Sequence, residues 1–119
     1  MRMPRPALIA VLLPLAMAGC HSRHIDLRIE NRTGEPVQLL EVDYPSASFG
    51  KNLLAKGENY LYRIQVRGSG VLKVQYTTRA GQPVVINGPA LAEAEEGQLG
   101  VILLPGGKAE FRQELRPPK

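Results

Sequence analysis

The sequence predicts an all-β fold, an antiparallel β-sandwich of about seven short strands, and three observations carry that expectation. Beyond residue 24 apolar and polar residues alternate repeatedly with a period of two, the mark of strands with one face buried. Turn signals rich in Gly, Pro, Asn and Ser interrupt these runs roughly every 8–12 residues, as in sandwiches of about 100 residues. The only stretch of good helix formers in this part, Ala90 to Glu96, is too short to be stable as an isolated helix and reads as one helical turn or an irregular crossover.

In order along the chain, Ile25, Leu27 and Ile29 oppose Asp26, Arg28 and Glu30 in a first strand, which the turn Asn31 to Pro36 ends. Val37 to Tyr44 is a second strand whose apolar phase slips from Val37 and Leu39 to Leu40, Val42 and Tyr44. One inserted residue swaps the faces, so a β-bulge is expected at Leu39–Leu40. Pro45 to Asn52 lacks a clear period and reads as a long loop, after which Leu53, Leu54 and Ala55 dip towards the core. Asn59 to Arg67 carries Tyr60, Tyr62, Ile64 and Val66 in phase, and Val71 to Arg79 carries Leu72, Val74, Tyr76 and Thr78. The short Gly68-Ser69-Gly70 link between them predicts a hairpin. Val84 to Ile86 is a short strand stopped by Asn87-Gly88-Pro89. Leu99 to Leu104 is almost continuously apolar and predicts burial on both faces. Beyond Pro105 to Lys108, the residues Ala109, Phe111, Gln113 and Leu115 alternate with Glu110, Arg112 and Glu114 in a last strand. The arrangement expected is immunoglobulin-like in size, with a small open barrel as the competing closure. The cysteine and tryptophan landmarks of true immunoglobulin domains are missing: there is no Trp, and the single Cys lies outside the domain.

The first residues differ in kind. Met1 to Pro6 holds two arginines and no acid, Ala7 to Met17 is an uncharged apolar run broken only by Pro14, and Ala18-Gly19-Cys20 follows. A basic start, an apolar stretch of about 7–15 residues and small residues before a cut describe a secretory signal peptide, too short to span a bilayer. The segment Leu15-Ala16-Met17-Ala18-Gly19-Cys20 resembles the lipobox of bacterial lipoproteins, with Met17 standing where leucine is usual. The resemblance implies recognition of Met17, Ala18 and Gly19 by the lipoprotein signal peptidase. It also implies a diacylglycerol thioether on Cys20 and an acyl chain on its new α-amine. Two or more chains make such an anchor stable, where one binds only marginally. His21 stands where the family's inner-membrane members carry aspartate, which implies an outer-membrane destination.

The organisation expected is therefore a signal peptide over 1–19, the lipidated cysteine and a short tether over 20–24, a sandwich over 25–116 and a tail over 117–119. Loss of Arg2 and Arg5 with the leader lowers the formal charge from +4 to about +2. Such a small balance without clustered Lys or Arg does not point to nucleic acid. With one cysteine there is no disulfide, so the core must suffice.

Motifs for chemistry are sparse. His21 and His24 are spaced for a metal only if helical, and they sit in a tether with no third ligand; no metal is expected. Ser46 and Ser48 have no histidine in the domain to activate them and belong to no G-x-S-x-G or S-x-x-K pattern, so no catalytic residue is assigned. Glu93, Glu95 and Glu96 are a solvated acidic run rather than a calcium loop. The candidate partner or ligand stretch is the 45–52 loop with its flank: Tyr44, Ser46, Ser48, Phe49 and Lys51. Phe49, among small residues, is expected to plug one end of the sandwich, the alternative being an exposed contact.

The segments Glu30 to Gly34, Tyr44-Pro45, Ser48-Phe49-Gly50, Gly68-Ser69-Gly70 and Asn87-Gly88-Pro89 also resemble a group of small bacterial β-domain proteins of unassigned function. That resemblance implies the fold and no activity. The function expected is non-enzymatic: a lipid-anchored envelope protein, facing the periplasm, that binds a partner protein or supports an assembly without a cofactor. A glycan- or lipid-binding module using the 45–52 loop and the tyrosine-bearing strands is the alternative, with an enzyme behind it.

Overall fold

A computed structural model describes residues 23–117, so Met17, Ala18, Gly19, Cys20, His21 and the end of the tail lie outside the described residues. Eight strands, one more than expected, make two four-stranded sheets: β1 (Ile25–Asn31), β2 (Val37–Tyr44), β3 (Ala47–Leu54), β4 (Asn59–Ile64), β5 (Gly70–Thr77), β6 (Pro83–Leu91), β7 (Glu96–Leu104) and β8 (Lys108–Arg116). Sheet A has the order β4-β1-β7-β8 and sheet B the order β3-β2-β5-β6. Every pairing is antiparallel except β1 with β7, which run parallel, Leu27 opposite Leu99 and Ile29 opposite Val101. A parallel pair needs a long crossover, and here the whole of sheet B is inserted between β1 and β7.

The alternating residues meet between the sheets as the pattern requires. Ile25, Leu27 and Ile29 of β1, Leu40 and Val42 of β2, Leu72 and Val74 of β5, and Leu99, Val101 and Leu103 of β7 are all buried. The central strands β1, β7, β2 and β5 thus supply most of the core, and the outer strands close its edges. The bulge in β2 falls where expected: Leu39 has φ +52°, is 62% exposed, and marks the register shift against β5. A leucine in the left-handed region costs about 1 kcal/mol or more, offset by returning Leu40 and Val42 to the core.

Three local expectations are corrected. Pro45 to Asn52 is not a loop. A tight turn at Pro45-Ser46 leads straight into β3, paired with β2 from Tyr44–Ala47 to Val37–Leu54. The period was hidden because β3 is an edge strand whose inward positions hold a lone aromatic, Phe49, and no further buried apolar residue until Leu54. Second, the segments joined by Gly68-Ser69-Gly70 do not form a hairpin. β4 pairs with β1 and β5 pairs with β2, so this link crosses from one sheet to the other, with Val66 buried beneath it. Alternation reports which face of a strand is apolar and says nothing of which neighbour it pairs with. Third, Asn87-Gly88-Pro89 does not end its strand: β6 continues to Leu91 through a register shift against β5. Proline is tolerated because β6 is an edge, and Gly88 is required because a Cβ would press on the Phe111 ring of β8. Of the two readings of the Ala90–Glu96 run, the irregular crossover holds, since the run passes from sheet B to sheet A without a helical turn. It ends β6 and then turns, with Ala94 at φ +62°, into β7. In β7 the near-continuous apolar run buries Val101, Ile102 and Leu103 in succession, so its outer face is covered at Ile102.

Candidate functional site

Most of the residues singled out in the 44–51 stretch converge on one place, the edge where β3 of sheet B faces β4 of sheet A. Phe49 is 8% exposed and stacks on Tyr62 with ring centroids 4.1 Å apart and planes 17° from parallel. Tyr60 and Tyr44 tilt against the same ring at 5.9 and 6.3 Å. The four rings fill the space between two edge strands, so Phe49 is the plug rather than an exposed contact. The Tyr60 hydroxyl crosses the gap to donate to the Gly50 carbonyl at 3.2 Å. Burial, with the nearby Tyr62 phenol second, pushes the Tyr44 hydroxyl above the usual tyrosine range.

The polar members of the stretch are held by the fold. Lys51 lies 5.3 Å from the Tyr60 ring centroid and donates to Glu58 at 2.8 Å. The Glu58 carboxylate also accepts the Ala55 amide at 2.8 Å. These bonds, Lys51 first and Ala55 second, hold Glu58 below the usual glutamate range. The Ser46 hydroxyl donates to the Gln65 carbonyl and accepts the Arg67 amide, tying the β2–β3 turn to the crossing segment after β4. Ser48 is exposed on β3 opposite Asp43. His24 precedes β1, and its Nε2 stands 4.0 Å from the Asp26 carboxylate.

Asn31, read in the sequence as a turn residue, is the buried polar centre of the chain. It is fully enclosed. Its Nδ2 donates to the carbonyls of Glu35, Leu54 and Ala55, and its Oδ1 accepts the Thr33 amide and hydroxyl. Its backbone bonds Glu58 and Gly57. One side chain thus joins the end of β1, the turn into β2 and the end of β3. An Asn one residue past a clean alternation, followed by Thr two positions on, was the available signal, since Asx turns use that spacing.

Concave regions lie elsewhere on the described surface. At the end of the sandwich away from the entry to β1, a cavity of about 260 Å³ is lined by Thr33, Thr78, Gly106 and Tyr76, whose burial raises its hydroxyl above the usual range. Another is an open groove of about 970 Å³ over the outer face of sheet A, floored by Gly100 and Ile102 and bordered by Leu61, Arg28 and Arg112. On the outer face of sheet B, Glu41 lies beside Asp43; their shared hydrogen bond and mutual repulsion raise the Glu41 pKa.

Fold and geometry together define a small all-β domain, a two-sheet sandwich. No protein-family model matches the chain, and no curated protein matches it. Among solved structures, an NMR structure of a protein from Eubacterium rectale is similar to it. The likeness has a TM-score of 0.55 and 14% identity over 76% of this chain and 87% of that one. At that identity the likeness speaks to the fold alone.

Proposed function

We propose that the chain is a lipid-anchored envelope protein whose β-sandwich binds a partner protein and performs no chemistry of its own. The observation that carries this reading is the basic start, the apolar run and the Leu15–Cys20 segment ending in the chain's single cysteine. In it Cys20 carries a diacylglycerol and an N-acyl chain in the outer membrane, with the domain facing the periplasm. The folded part supports a binding role. Ser46 and Lys51, the side chains nearest to a nucleophile and a base, are both engaged in holding the β3/β4 edge together. The outer faces of both sheets present charged and polar side chains with scattered exposed apolar ones, Leu61 on sheet A and Leu39, Leu53, Val71 and Val85 on sheet B. β1 begins at Ile25, and the His24 carbonyl already accepts the Gly97 amide, which keeps the tether short. The glycan- or lipid-binding alternative has less support, because Phe49 is buried and Tyr60 half-buried in the edge closure.

Intact mass of the membrane-extracted protein tests the anchor. A product cut before Cys20 and carrying acyl chains, replaced in Cys20→Ala by an unacylated form, is the expected result. A soluble, unacylated wild type with a free thiol overturns it.

A further inference from the structure

We infer that the groove on the outer face of sheet A is the partner site, and that it takes an extended peptide segment carrying an acidic and a basic side chain four residues apart with an apolar one between. The inference deepens the partner-binding reading above and rests on it, though not on the anchor.

Gly100 is the first ground. Glycine inside a strand costs about 0.5–1 kcal/mol relative to alanine and marks a close backbone approach or a ligand. The other strand-interior glycines each have a steric reason within the fold. A Cβ on Gly50 would collide with the Leu40 carbonyl, one on Gly88 with the Phe111 ring, and one on Gly97 with the Glu114 carbonyl at a φ of +138°. Gly100 has none: a Cβ there meets only Arg112 atoms at 3.9 Å, an ordinary contact, and its φ is not positive. The fold does not require this glycine, and its absent side chain is what opens the floor of the groove.

Charge is the second ground. On this face Asp26 is paired with Arg63 at 2.9 Å, Glu30 with Arg32 at 2.6 Å and Glu110 with Arg112 at 3.3 Å. Arg28 and Glu114 have no such partner among the described residues. They stand on opposite banks. Arg28 on β1 is opposite Gly100, while Glu114 on β8 is opposite Gln98, two residues along β7 from Gly100. Two strand spacings and two residues of rise separate their Cα atoms by roughly 12 Å. In an extended peptide, side chains four residues apart point the same way and span roughly 13 Å. An acidic residue over Arg28 and a basic one over Glu114 therefore set the middle side chain over β7 between Gln98 and Gly100, beside the space that Gly100 leaves. The 65% exposed Leu61, opposite Arg28 on β4, borders the groove at its acidic end, and the uncharged floor at Gly100 leaves the middle position to an apolar side chain.

The test is a titration of the isotope-labelled full chain, purified as the cell produces it, with the capped peptide Ser-Glu-Ser-Leu-Ser-Lys-Ser, followed by amide NMR shifts. Shifts centred on Arg28, Gly100 and Glu114 are expected, weakened about tenfold or more in Gly100→Val, which fills the floor, and in Arg28→Glu. The peptide with lysine in place of glutamate should bind Arg28→Glu better than wild type. No shift at millimolar peptide overturns the inference. So do equal affinities for wild type and Gly100→Val, or shifts confined to sheet B or the β3/β4 edge. The mass of the same sample separates the two proposals: an acylated chain that ignores the peptide removes the groove and keeps the anchor, and an unacylated chain that binds it does the reverse.

Discussion

The β3/β4 edge and the outer face of sheet A are built from similar materials, aromatic or apolar side chains among arginines, lysines and acids, and they use them in opposite ways. At the edge almost every group is committed. Phe49 is under three tyrosines, Lys51 is on Glu58, Ser46 bridges two segments, and Asn31 behind them saturates its amide. On the face, a glycine the fold does not need lies among charges of which two, Arg28 and Glu114, have no ion-pair partner among the described residues. Residues that look functional because they break a pattern can be spent on closing the fold. Residues that keep the pattern can leave chemistry unused.

The largest way to break this contrast is Asn31→Ala. It leaves the buried Leu54 carbonyl unpaired and takes a partner from the part-buried Glu35 and Ala55 carbonyls and the Thr33 amide, and a buried group left unpaired costs about 1–3 kcal/mol. A loss of about 4 kcal/mol in urea unfolding is expected, a large share of the roughly 5–15 kcal/mol such domains possess. A loss under about 1 kcal/mol would show that water replaces the amide and that the node is not structural. Phe49→Ala should cost about 3 kcal/mol and bring Tyr62 into solvent, read as a rise in its accessibility to an aqueous quencher. A neutral result would return Phe49 to the list of partner contacts.

Gly100→Val sharpens the other side. With an ordinary Cβ environment and a β-branched side chain, it should gain about 0.5–1 kcal/mol. Destabilisation would mean that the fold itself requires the glycine. The smallest effect is a change of slope. Glu58 is held below its unfolded value, so its stabilisation is fully present above the unfolded pKa and is lost as pH falls through the lower folded one. Glu58→Gln should therefore unfold with a weaker pH dependence through the acidic range below neutrality than wild type, as followed by urea midpoints at successive pH values. An unchanged slope would release Lys51 and Glu58 from the closure.

The fold class was legible because burial on one face of a strand leaves a period of two in the chain. Ile25, Leu27 and Ile29, or Leu72, Val74 and Tyr76, announce themselves without any neighbour. The Leu39 bulge was legible for the same reason, as a slip of phase. The β3 strand was not, because an edge strand with one plugging ring and a glycine carries too little of that period. Nor was the pairing of β4 with β1, since a link of a few residues serves equally to turn back within a sheet or to cross the core.

By itself, then, the sequence determined which residues alternate, where the chain turns, that its one cysteine follows an apolar run, and that the domain must stand without a disulfide. Local covalent chemistry and the side-chain period decide those things, and both are written in consecutive residues. Only the tertiary structure decided that β1 runs parallel to β7, that Asn31 is a buried node, and that Gly100 is spare while Gly97 is indispensable. Those outcomes depend on which strands come to lie side by side, and contacts between residues tens of positions apart leave no period in the chain that makes them.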